Sequence, residues 1–259
     1  MKRLILFAHF DPEHRIRPYI CHHLEGLHAL GGEIHFISNS SLPISELDKI
    51  RPLVLHASVR ENQGFDFSMW QAALKAVSLG DWDELLLTNS SIAGPFRPLQ
   101  ILFDRMAGQT CDFWGLTEHQ FPTPHIQSYF MVFRKSALSS KAFQDFWTSV
   151  LPYRNKDGTI FAYEIGITLY LRDQGLTGRA AFQVQELQRN FLNDLIFKRK
   201  VCRWLLKRRN PSIYYPDLLI RAGMPYVKME VLLKNPYNLR LSMVRKCIQA
   251  RGYDLANCD

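Results

Sequence analysis

Four short runs of the 259-residue chain carry side chains able to do chemistry. In RENQGFDFSMW (60–70), Arg60 can reach a phosphate, and Gly64 permits a tight turn. Asn62 and Asp66 there offer hydrogen bonds to a base or ribose. The plainer reading is a loop with Asp66 as the N-cap of the next helix. In TNSSIAGPF (88–96), Asn89, Ser90 and Ser91 follow an apolar strand before Gly94 and Pro95 turn the chain. Side chains there can touch a ligand or a metal, although Asn and Ser are weak ligands beside carboxylates. An Asx-type turn is the alternative. In YEIGITLYLRDQG (163–175), Glu164 lies inside an apolar helical run. It faces either solvent or a cleft where it works as a base. KRKVCRWLLKRR (198–209) holds seven basic residues and no acid. With Val201, Trp204 and Leu205 between the cations, it has the makeup of a helix lying on an anionic surface. Nucleic acid and a plain solvated helix are the rival readings.

These runs need elements to position them. RLILFAH (3–9), EIHFISNS (33–40), LVLHASV (53–59), ELLLTNSS (84–91), DFWGLTE (112–118) and HIQSYFMVFRK (125–135) read as strands. The last is expected to run antiparallel and line a cleft. Helices are expected over 17–30, over a stripe of Phe67, Trp70, Leu74 and Val77, and over 98–106. The alternation predicts an α/β fold with a mostly parallel sheet. Ligands of such sheets bind outside the carboxyl ends of the strands. That rule selects His9–Asp11, Ser38–Ser40, Arg60–Asp66, Asn89–Gly94 and Thr117–His119 before any relative is considered. Beyond residue 186 the pattern turns helical and basic, so the expected division is 1–185 and a C-terminal appendage, 186–259.

Composition sets the outer limits. The chain is 47% hydrophobic and 22% charged, which excludes collagen-like and disordered classes. No apolar run approaches the length of a bilayer span, and the start lacks a signal-peptide cleavage pattern. A cytoplasmic protein is expected. The five cysteines form no CxxC pair, which argues against zinc and against a disulfide framework. HExxH, GxSxG, Walker and GxGxxG patterns do not occur. The net charge is +8, of which 198–209 supplies +7, so basic residues do not dominate the body and nucleic acid is not expected as a partner.

Taken in order, the opening HFDPEHRIRPYICHHLEGL, the strand into SNSSL, RENQGFDFSMWQAAL, ELLLTNSSIAGPFRPL, CDFWGLTEH, HIQSYFMVFRKSAL, AYEIGITLYLRDQGL and YYPDLLIRAGMPYVKMEVLLKNP resemble the rhamnan synthesis protein F family. The resemblance implies a GT-A-like, Rossmann-type nucleotide-sugar-binding domain. It implies transfer of rhamnose or another sugar to a growing glycan on a lipid carrier, as in O-antigen or rhamnan assembly. His9, Asp11, Arg60, Asn62, Gly64 and Asp66 would hold the nucleotide, with dTDP-rhamnose the favoured donor. Asn89, Ser90 and Ser91 would occupy the place of the metal-binding DxD motif. The family commonly has an Asp there, so Mg or Mn at Asn89 and Ser91 is in question. Without that acid, Arg60, Arg97 or Lys228 would meet the charge of the leaving diphosphate. Glu164 becomes the base of an inverting transfer. Trp114, His119, Gln127 and Tyr129 would line the acceptor side, each with a core position as its alternative. The basic run would hold the protein on the inner face of the cytoplasmic membrane. A catalytically silent binding subunit of a glycan synthase is the competing reading.

Overall fold

The computed structural model describes residues 1–183, 186 and 209–258. Seven consecutive buried residues make β1 (Arg3–His9), the pattern of a strand covered on both faces. Beside it lie β2 (Glu33–Ser38), β3 (His56–Val59) and β4 (Glu84–Asn89), all parallel to it, in the order β3-β2-β1-β4. The sheet continues through β8 (Phe130–Arg134) to β6 (Phe113–His119). The body of β6 pairs with β9 (Gly178–Phe182), and its last two residues pair with β7 (His125–Ile126). Strands β7 and β8 run against the rest. The sheet is therefore mixed and mostly parallel, as expected.

Two apolar layers follow from strand alternation. Ile5, Phe7, Leu86 and Val132 point to one face, under α1 (Pro18–Ala29) and α4 (Leu99–Ala107). Leu4, Leu6, Leu85, Leu87 and Phe133 point to the other, under α3 (Asp66–Leu74) and α6 (Lys141–Ser149). Because parallel strands are joined by helices that cross back, the carboxyl ends of β1, β2, β3, β4, β6 and β9 share one edge. The reversal of order beside β1 puts a topological switch point there.

Two expectations change in detail. The anticipated strand 125–135 is divided into β7 and β8, with Gln127–Tyr129 crossing between them at that same edge. Residues 53–55 precede β3, with Leu53 and Val54 turned into the first apolar layer. The C-terminal elements are mainly helical, as anticipated, and they join the main core. In the order α9 (Pro211–Tyr214), α10 (Pro216–Arg221), β10 (Val227–Lys228), α11 (Met229–Leu233) and α12 (Leu241–Gln249), they place Leu219, Ile220, Tyr226, Val231 and Ile248 in the first layer. Strand β10 pairs with β5 (Ile92–Ala93), just past the end of β4. The basic run 198–209 lies outside the described residues apart from Arg209. No helix among the described residues is long and apolar enough to cross a membrane.

Candidate active site

The strand-end edge gathers residues from seven segments. At the end of β1, His9 is buried with Nδ1 2.9 Å from Ser38 Oγ at the end of β2. Burial lowers its pKa to about 4, against a smaller opposing pull from Asp11. The ring is therefore neutral at pH 7. Asp11 accepts from the backbone N–H of Glu13 and from Arg17 Nε at 2.9 Å. Its carboxylate is thus committed to shaping its own loop. Arg60 continues β3 by donating its N–H to Ser38 O, and its Nη1 donates to Ser68 O at 3.0 Å. Asn62 is exposed in the turn that follows. Gly64 has φ +71°, and a Cβ there would lie 2.5 Å from Ser68 Oγ, so the turn requires glycine.

Asp66 is not an N-cap. Phe65 holds that position, and no side chain caps the helix. Asp66 is the first residue of α3, and its Oδ2 accepts from Asn89 Nδ2 at 2.6 Å. Burial pushes this carboxyl up to about 6, with Glu164 adding to the rise while Asn89 and Lys156 pull it down. Asn89 Oδ1 accepts from the N–H of Ser91 at 3.1 Å and from its hydroxyl at 2.6 Å. Ser90 uses its hydroxyl to accept from Phe10 N. The strand end is therefore an Asx turn tied to Asp66.

That arrangement does not fit a protein-held Mg or Mn ion. Hard cations require several free oxygen donors. The amide oxygen of Asn89 is already taken twice, and its NH₂ group faces the Asp66 carboxylate. Among the described residues no three His, Cys, Asp or Glu side chains come together as a metal site. An Asn89→Asp variant tests this reading. It places two carboxylates where an amide now donates, and two such groups in contact cannot both ionise. Urea unfolding at pH 7.5 should show a loss of about 1–3 kcal/mol. Millimolar Mn²⁺ should restore part of that loss, while the wild-type protein melts alike with Mn²⁺ or chelator.

Glu164 enters from the same apolar layer as α3. It sits in a π-helical turn, Ile160–Ile165, that runs into α8 (Gly166–Asp173). Single π turns inside helices recur at functional sites. Here the wide turn carries Glu164 toward the β7–β8 crossover. Its Oε2 accepts from both the N–H and the hydroxyl of Ser128. Its Oε1 lies 3.9 Å from His125 Nε2, and the carboxylate side chain keeps 16% of its surface exposed. Lys228, at the end of β10, places Nζ 4.9 Å from the centroid of the Tyr129 ring. Burial draws this ammonium down from the usual lysine range, whereas Glu164 and Glu230 support it and Lys156 opposes it. Two carboxylates, Asp66 and Glu164, thus share a half-open edge with two cations, Lys156 and Lys228.

Three of the four anticipated acceptor residues are core. Trp114 is 1% exposed and packs against Phe103 and Phe130. Gln127 is buried, its Oε1 accepting from Thr117 and Ser212. Tyr129 is buried with its hydroxyl on Thr117. These residues brace the crossover from below. His119 remains partly open, its ring 5.4 Å from that of His125. Arg97 stands apart, against Gly223. His125, Ser128 and Lys156 were not singled out in the sequence. Ser128 had one signal, its place between Gln127 and Tyr129, where alternation sends it to the other face. Lys156 had none.

A doubly wound sheet with its polar side chains at the strand-end edge is the architecture of the GT-A-like nucleotide-sugar transferase class. The glycosyltransferase GlyE of Streptococcus pneumoniae TIGR4 shares this fold at a TM-score of 0.51 and 14% identity, over 99% of this chain and 62% of that one. Glucosyl-3-phosphoglycerate synthase of Mycobacterium tuberculosis aligns at a TM-score of 0.44 and 13% identity, covering 69% of each chain. In sequence, the virulence protein VirA of Vibrio anguillarum is 24% identical over 193 residues, 68% of this chain. This chain spans 62% of the length of VirA. Residues 34–255 match the family model for rhamnan synthesis protein F, and the chain belongs to that family.

Proposed function

We propose that this chain is an inverting glycosyltransferase of polysaccharide synthesis. The donor is a nucleotide sugar, with dTDP-rhamnose favoured, and the acceptor is a lipid-linked glycan of the O-antigen or rhamnan kind. The observation that carries the reading is Glu164, a partly exposed carboxylate held by two donors from Ser128 at the strand-end edge. In the reaction an acceptor hydroxyl attacks the anomeric carbon while the bond to the diphosphate oxygen breaks. Glu164 takes the proton of that hydroxyl, and one such base suffices for inversion. Negative charge grows on the departing diphosphate, and Lys228 with Lys156 meets it without a metal step. His9 and the turn of Arg60, Asn62 and Gly64 form the nucleotide end, with Asp66 and the Asn89–Ser91 strand end beneath the diphosphate. His119 borders the acceptor end. The site works at the cytoplasmic face of the membrane, with 198–209 as the contact to anionic lipid.

A catalytically silent nucleotide-sugar-binding subunit is the second reading. It is favoured by Ser90, which stands where the family commonly has an acid. A thermal-shift panel of nucleotide sugars, followed by transfer assays, separates the two. Ligand binding to the native state raises the melting temperature. The transferase reading expects one donor to stand out and to be turned over in the presence of a lipid-linked acceptor. Binding with no turnover on any acceptor would establish the silent subunit. No shift with any donor would remove both.

A further inference from the structure

Beside α4 and α10, past the β5–β10 ribbon, three arginines gather, and two of them have no acid to match them among the described residues. Arg97 lies across Gly223, whose φ is +103° and where a Cβ would stand 2.8 Å from Arg97 Nη1. The positive φ favours glycine at this turn, and the guanidinium rests against it. Arg251 reaches the same turn. Its Nη2 donates to Ile220 O, which also accepts from Gly223 N, and its Nη1 donates to Cys247 O. Arg105 follows on α4, with one Nη on Ala181 O. Neither Arg97 nor Arg251 has a carboxylate partner among the described residues, and the Nε of each is buried without a hydrogen bond. Arg97 opposes each of the other two. Burial lowers the pKa of Arg105 and of Arg251, and the neighbouring Arg97 lowers both further, while Glu186 offsets part of the fall at Arg105 alone.

A half-buried guanidinium with unused N–H groups costs stability, and a second cation beside it adds to the cost. Planar guanidinium groups match phosphate oxygens, which accept two parallel N–H bonds. The surroundings extend the positive field. Helix α12, packed on α10, exposes Arg245 and Lys246, and no acid occurs from residue 231 to 253. We propose that Arg97 and Arg251, seated at Gly223, form a phosphate-binding site separate from the donor site. The ligand is a phosphate or diphosphate group, carried by a soluble molecule or by a lipid headgroup.

Two measurements test the site on the full chain. The first is calorimetric titration with pyrophosphate in chloride buffer of matched ionic strength. The second is flotation with phosphatidylcholine vesicles, with and without phosphatidic acid. Arg97→Gln should weaken whichever interaction occurs by about tenfold, the worth of one charge-assisted pair. Lys228→Met, which touches the donor site alone, should leave that interaction in place. Pyrophosphate binding that depends on Arg97 identifies a soluble phosphate. Vesicle binding that depends on both phosphatidic acid and Arg97 identifies a lipid headgroup. If Arg97→Gln matches wild type in both assays, or if Lys228→Met alone abolishes binding, the site does not exist. Arg251→Gln, which removes the other guanidinium of the pair, serves as a second variant should Arg97→Gln fail to fold.

Discussion

Glu164→Gln should lower the rate of sugar transfer by about 10²–10⁴-fold, the usual worth of a positioned general base. The amide keeps the length and shape of the carboxylate. Its oxygen can still accept from the N–H and hydroxyl of Ser128, which hold Oε2 in the native chain. What it loses is the ability to take a proton. The expected signature is therefore a fall in kcat with little change in melting temperature and a donor-induced thermal shift that survives. A substitution that merely loosened the π turn would lower all three together.

The neighbours of Glu164 sharpen this test. Its charge raises the Asp66 carboxyl and supports the Lys228 ammonium. Neutralising it should therefore lower the pKa of both groups, which NMR titration can follow independently of turnover. Ser128→Ala removes one of the two donors and keeps the backbone N–H. It should cost about tenfold, much less than the loss of the base itself. A Glu164→Gln enzyme with wild-type turnover would show that the proton goes elsewhere. His125, at 3.9 Å from Oε1, would then be the next group to replace.

The parts of the site that could be read from sequence are those fixed by local pattern. Strands β1 and β4 are unbroken apolar runs that end abruptly in polar residues, so His9 and Asn89 announce their edge. The covering helices follow from spacing, as Phe67, Trp70 and Leu74 on α3 show. What stayed hidden depends on distant partners. An Asp ahead of an apolar run looks the same whether it caps its own helix or meets Asn89 across the edge. Trp114 on β6 could face a cleft or the core, and only the presence of Phe103 on α4 decides it. The π turn leaves no trace in the spacing of Ile165, Ile167, Leu169 and Leu171. Glu164 therefore looked like one more helical carboxylate until the turn was seen to deliver it to Ser128.

The second large effect concerns acid. The protein should lose about 1.4 kcal/mol of stability per pH unit between pH 6 and pH 4, measured by urea unfolding. Two buried histidines set the sign. Burial holds His9 at about 4 and His23 at about 3, both below the ordinary histidine value. Between those values and about 6.5 the unfolded chain binds a proton at each that the folded chain refuses, so stability falls as pH drops. Asp66 works the other way. Its folded carboxyl, raised to about 6, keeps a proton through a range where the unfolded chain releases it. Among these three groups, two protons against one leaves a net uptake of about one on unfolding, which sets the slope, while His35 and the low-titrating Asp11, Glu46 and Asp112 steepen it and the raised Glu118 opposes them. His23 is the group to remove. It is fully buried between Phe7 and Tyr226, and neither ring nitrogen has a hydrogen-bond partner. Replacing it with leucine leaves His9 against Asp66, and the profile between pH 6 and 4 should become clearly shallower than that of the wild type. At pH 5 the variant should gain about 2 kcal/mol on wild type relative to their difference at pH 7.5. Parallel profiles would show that His23 takes up its proton in the folded state, and the acid response would then have to come from Asp11, Glu46 and Asp112, whose bonded carboxylates all titrate lower than usual.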